Sequence, residues 1–105
     1  MTTVRFTAPL QSMLIEDGMP PVGFVHLTDE AAQQVTGHEL ERRLELGKRR
    51  GFGSVKVTVR VGASEWATSV FPQKTGGWFL PIKKPVRLAE GLAEGQPVVV
   101  ELDLL

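Results

Sequence analysis

Hydrophobic and polar residues alternate most regularly from Val55 to Val61, where Val55, Val57, Val59 and Val61 share one face and Lys56, Thr58 and Arg60 the other. A period of two is the mark of a half-buried strand. Gly62-Ala63-Ser64 predicts a tight reversal, and Glu65 to Phe71 returns antiparallel, with Trp66 counted among the core residues. Val98-Val99-Val100-Glu101-Leu102-Asp103-Leu104 repeats the alternation and predicts a final strand, with Glu101 and Asp103 turned outward to pair with Lys56 or Arg60. Val4 to Ile15 reads as an opening strand bent at Pro9, and the turn chemistry of Glu16 to Pro21 leads into a second strand, Val22 to Leu27. Trp78 to Ile82 predicts a short strand, which Pro81 places at a sheet edge; Trp78 faces the core and Phe79 the other way.

The helical patches are fewer. Thr28 is a candidate N-cap, followed by Asp29 and Glu30 where the helix dipole favours acids, and Gly37 predicts a stop. His38 to Leu46 then reads as a second helix stopped by Gly47, and Pro85 opens a third, Val86 to Glu90, closed by Gly91. About six strands with two or three short helices predict a mainly β fold, a small antiparallel barrel capped by helices.

Length and composition bound the function. A chain of 105 residues, 42% hydrophobic, is expected to form a single domain over 1–105. It contains no cysteine, which excludes disulfides, thiolate catalysis and Cys-ligated metals. No run approaches the roughly 18–20 apolar residues of a membrane helix, and the opening residues lack signal-peptide layout, so a cytoplasmic protein is expected. The 12 basic and 12 acidic residues cancel, but unevenly. Residues 42–60 hold Arg42, Arg43, Lys48, Arg49, Arg50, Lys56 and Arg60 against Glu45 alone, and residues 72–88 hold Lys74, Lys83, Lys84 and Arg87 with no acid. If the two segments meet in space they form an anion site; if not, they are ordinary solvated charges.

From Arg50 onward the sequence resembles a bacterial family. The resemblance is carried by Arg50-Gly51-Phe52-Gly53-Ser54-Val55, by Trp66-Ala67-Thr68-Ser69-Val70-Phe71-Pro72, by Lys74-Thr75-Gly76-Gly77-Trp78-Phe79-Leu80-Pro81-Ile82-Lys83-Lys84 and by Val86-Arg87-Leu88-Ala89-Glu90-Gly91. Phe6-Thr7-Ala8 and Val25-His26-Leu27 extend it over nearly the whole chain. It is similar to the domain-of-unknown-function family numbered nineteen-oh-five. The departures are the Met13 to Gly18 hairpin and a longer charged helix at His38 to Leu46. The resemblance implies a double-split, AbrB-like β-barrel capped by helices and implies no function. Some members carry a following domain linked to bacteriocin protection or outer-membrane porins, which this chain, closing at Leu105, is expected to lack. DNA-binding regulators share the barrel, but fold does not carry function.

Two groups of residues are candidates for chemistry. Gly51 and Gly53 let backbone N–H groups converge on an anion beside Arg49 and Arg50, or simply serve the turn into the Val55 strand. Lys74, Lys83, Lys84 and Arg87 sit on backbone stiffened by Pro81 and Pro85. Ser69 belongs to the family-like stretch next to the Lys74 loop. The histidines His26 and His38 show no metal spacing, and Ser12, Ser54, Ser64 and Ser69 show no nucleophile-elbow pattern. The expectation is a non-enzymatic binding module without cofactor or metal, monomeric or weakly dimeric and off the membrane. Its ligand would be anionic (nucleic acid, nucleotide or carboxylate metabolite), held by Arg49, Arg50, Gly51, Gly53, Ser69, Lys74, Lys83 and Lys84. The alternative is a protein-interaction or scaffold domain using an exposed strand edge.

Overall fold

The computed structural model describes residues 2–14, 16–47 and 53–105. The chain runs β1 (Thr2–Pro9), β2 (Gln11–Met13), β3 (Val22–Leu27), α1 (Asp29–Leu46), β4 (Val55–Val61), β5 (Ser64–Pro72), β6 (Trp78–Pro81), α2 (Lys84–Ala89) and β7 (Pro97–Leu104). The described strands form one antiparallel sheet in the order β1-β7-β4-β5-β6-β3-β2. Its two edge strands, β1 and β2, are separated along the chain by Leu10 alone. A sheet whose opposite edges are one residue apart has to curl, and this one forms a half-barrel. Pro9 pairs with Pro97, so neither residue can donate and the β1 ladder ends there. Leu10 is buried at the bend; its N–H donates to Gln96 O at 2.9 Å and its carbonyl accepts from Gly95 N–H at 2.7 Å.

The valines of β4 all point inward, joined by Val70, Leu80, Ile82, Val98, Val100 and Leu102. Trp66 shares their face but is only half-buried, packed against the rim of that core. The edge position expected for β6 is corrected: β6 lies between β5 and β3. Its pairing with β5 covers only Phe71↔Phe79 and Pro72↔Trp78. Pro81 lies beyond that short ladder, where its missing N–H costs nothing on the β5 side.

The helices number two among the described residues, because α1 runs through Gly37 as a single 18-residue helix. An interior glycine costs only about 1 kcal/mol relative to alanine. Side chains on both sides of Gly37 offset that cost by tying the helix to its surroundings: Trp78 Nε1–H donates to Thr36 Oγ1 at 3.0 Å, and His38 Nε2–H to Leu105 O at 2.9 Å. Thr28 is the N-cap residue, but its hydroxyl donates to the Asp29 carboxylate at 3.4 Å rather than capping the helix N–H groups. Gly47 ends α1 in the left-handed conformation, as expected. None of the described helices is long and apolar enough to cross a membrane.

Candidate anion-binding groove

The short helix α2 is held against the sheet at three points. Ile82 N–H, just before it, donates to Gly23 O at 2.8 Å, continuing the β6–β3 ladder. Glu90, just after it, accepts from Ser64 Oγ at 2.7 Å and from Ala63 N–H at 3.4 Å, clasping the β4–β5 turn. That turn needs Gly62: its φ is +56°, and a Cβ there would collide with the Glu90 carboxylate. Between these points Arg87 lays its side chain across Gly23, where a Cβ would sit 2.7 Å from Arg87 Cδ. The isolated glycine in β3 is thus a place where another group approaches the backbone closely.

The hairpin loop before β3, the start of β5 and the β6–α2 junction enclose an open groove of about 430 Å³. Much of its wall is apolar: Pro20, Pro21, Val22, Trp66, Pro81 and Ile82. Its charged residues are Lys83, Lys84 and Arg87, and no carboxylate or histidine is among the described residues that line it. Arg87 Nε is buried and makes no hydrogen bond to the described residues. An unpartnered buried N–H costs about 1–3 kcal/mol, so this guanidinium is under-satisfied in the conformation it holds.

The sequence-predicted site residues fall into separate places. Lys83 and Lys84 are exposed on the groove, joined by Arg87. Gly53 is buried, with φ +82°, in a different recess shared with Pro72, Gly76, Gly77 and Trp78. Lys74 is exposed on the loop between Pro72 and Trp78, beside that second recess. The grouping of Gly53 with Lys83 and Lys84 is therefore corrected. The first adjoins Pro72 at the end of β5 and the lysines adjoin Trp66 near its start, about 20 Å apart along an extended strand. Ser69 pairs with Lys56 across β4–β5, on the opposite face of β5 from Trp66 and Thr68, which line the groove. Ser69 is not among the described residues that line the groove, which on β5 are Trp66, Ala67 and Thr68. Lys48, Arg49, Arg50, Gly51 and Phe52 lie outside the described residues.

Gly23 is not among the sequence-predicted site residues, and Trp66, expected in the core, lies at its rim. A lone glycine between Val22 and Phe24 was the available signal for the first. Phe79 does face outward, but its stacking partner is internal: its ring centroid lies 4.7 Å from that of Phe24, at 28°. Elsewhere on the outer face the cation Arg60 is fully occupied by Glu101 and Asp103. Its hydrogen bond holds the Asp103 carboxyl down at about 2, helped by the Thr3 hydroxyl.

No curated protein matches the chain. Residues 6–102 match the family described as "Domain of unknown function (DUF1905)", and the chain belongs to that family.

Proposed function

We propose that this DUF1905 domain is a non-enzymatic binding module of the bacterial cytoplasm that holds a small anionic ligand in the groove between β5 and α2. The observation that carries this reading is three cations, Lys83, Lys84 and Arg87, lining one groove with no carboxylate among its described lining residues. Like charges brought together repel, and a bound anion relieves the repulsion while giving Arg87 Nε a partner. The volume of about 430 Å³ suits a metabolite-sized ligand. Thr68 is the only hydroxyl among the described lining residues and no histidine or carboxylate lines the groove with it among them, which favours binding over catalysis.

A panel of anions in a thermal-denaturation assay at low salt tests this. A ligand at a hundred times its dissociation constant raises stability by about 2.7 kcal/mol, a clear rise in Tm. Lys84→Ala is expected to fold normally and to lose that response. If acetate, inorganic phosphate, nucleotides, aromatic carboxylates and short oligonucleotides all leave the parent unmoved, the reading fails.

A second reading, docking of a protein partner at the β2 edge, is favoured by the exposed Met13, Leu14 and Met19 on the β2–β3 hairpin. Salt separates the two: affinity for a small anion held by charge falls as ionic strength rises, whereas apolar docking is far less sensitive.

A further inference from the structure

We infer that the ligand of this groove carries its negative charge on a flat apolar body, as an aromatic carboxylate or a nucleoside monophosphate does; this rests on the anion-binding reading above and narrows it. Three features point the same way. The first is Trp66, which packs against the core yet remains half-buried in the groove wall, so part of its ring is open to a ligand. The second is the company it keeps. Pro20, Pro21 and Pro81 line the same groove, and their rings hold stiff backbone and an apolar surface that a flexible wall would not maintain. A free inorganic anion gains nothing from such a wall and would lose hydration on entering it. A flat ring gains contact with the indole, as nucleic-acid bases do when they stack on aromatic side chains.

The third feature is Arg87. Its Nε–H has no partner among the described residues, and with a neighbouring Nη–H it forms the fork that carboxylates and phosphates accept as a bidentate pair. The side chain lies across Gly23 and lines the groove, so a rotation of Arg87 presents the fork to a ligand there. Lys83 and Lys84 add charge to the same groove, while Trp66 supplies the surface for the rest of the molecule. Charge and ring are read by different residues, which makes the two separable by mutation.

The experiment is isothermal titration of the full chain at low salt with acetate, inorganic phosphate, 1-naphthoate, adenosine monophosphate and the uncharged 1-naphthylmethanol. We expect 1-naphthoate to bind at least about tenfold more tightly than acetate, or the monophosphate at least about tenfold more tightly than phosphate, a margin within the range of a single stacking contact. Whichever pair shows the margin identifies the head group, carboxylate or phosphate. In Trp66→Leu the margin is expected to shrink to about twofold or less with acetate and phosphate binding unchanged, since the cations remain. In Arg87→Met both flat anions are expected to weaken by about tenfold or more, as loss of a charge-assisted pair would bring. If the simple anions bind as tightly as the flat ones, this inference is overturned while the anion-binding reading stands. If 1-naphthylmethanol matches 1-naphthoate, charge is not read and both are overturned. If nothing binds, the anion-binding reading falls and this one with it. The comparison within the unaltered protein decides the matter even if Trp66→Leu does not fold.

Discussion

Two arginines on this sheet meet opposite circumstances. On the outer face, Arg60 donates from Nε to Glu101 at 2.9 Å and from both terminal nitrogens to Asp103, at 2.7 and 3.0 Å. Arg5 adds a second cation to Glu101 at 3.7 Å, and the Thr3 hydroxyl donates to Asp103 at 2.8 Å. At the groove, Arg87 crosses Gly23 with its Nε unpartnered among the described residues. The register explains the first: β4 and β7 pair Arg60 directly with Glu101, and alternation brings Asp103 to the same face. Arg87 is placed by a helix clasped at its far end by Glu90, in a stretch that contains no acid from residue 72 to 88. A charge whose partners are supplied by the ladder belongs to the structure; a charge left without them is where a ligand has something to contribute.

Both regions depend on the same interior, and the largest effect comes from breaking it. Val57 is fully buried midway along β4, between β5 and β7. Val57→Asp is expected to unfold the protein, because an unpaired buried carboxylate costs several kcal/mol against a total stability of about 5–15. Loss of the cooperative thermal transition by circular dichroism checks this. A melting temperature within a few degrees of the parent would show that the two regions do not share a core.

Next in size is the clasp that serves one region only. Glu90→Ala removes the hydrogen bonds from Ser64 and Ala63 and is expected to cost about 1–2 kcal/mol in denaturant unfolding. Because the clasp positions α2, the thermal response to anions should weaken as well. The pH dependence set by Asp103 on the outer face should not change. An effect of equal size on both would erase the distinction drawn between them.

The sequence made the paired charges legible and the unpaired one only half so. Alternation in Val55–Val61 and in Val98–Leu104 assigns faces and leaves Lys56 and Arg60 as partners for Glu101 and Asp103; the β4–β7 register selects Arg60. Alternation reports which way a side chain points and not how deep it lies, so Trp66 could be placed with Val70 but not recognised as lying at the rim. The cations at 83, 84 and 87 were visible as an acid-free stretch, but their partner surface comes from the β2–β3 hairpin some sixty residues earlier, and no local pattern encodes that meeting. Gly37 is a local stop signal and predicts a break in α1, whereas the bonds through Thr36 and His38 that carry the helix past it are tertiary.

Exchanging each arginine for methionine, which keeps much of the apolar stem, compares them directly. Arg60→Met leaves Asp103 and most of Glu101 without their cation and is expected to lower the melting temperature at neutral pH. Arg87→Met removes an unsatisfied guanidinium and is expected to leave stability unchanged or raise it by up to about 1 kcal/mol, while reducing the response to flat anions. Differential scanning calorimetry of both variants with and without 1-naphthoate reads the contrast. Equal destabilisation would show that Arg87 is a structural residue.

The smallest effect lies in acid. Asp103 titrates at about 2 in the folded protein, chiefly because Arg60 donates to it and secondarily because Thr3 does. In the unfolded chain an aspartate titrates near about 3.9. A folded value below the unfolded one means that the unfolded state takes up protons first as the pH falls. The Asp103 contribution is therefore fully present above about pH 5 and is lost progressively between about pH 4 and pH 2. Asp103→Asn is expected to be less stable than the parent at pH 7 and to lose less of its stability over that acid range, so that the two unfolding curves approach one another near pH 2. The difference should shrink in high salt, since the pair is partly exposed to solvent. Urea unfolding at pH 7, 4 and 3 for the parent, Asp103→Asn and Arg87→Met measures it. The Arg87 variant is expected to follow the parent's acid profile, because no carboxylate among the described residues lining the groove depends on that arginine for its charge.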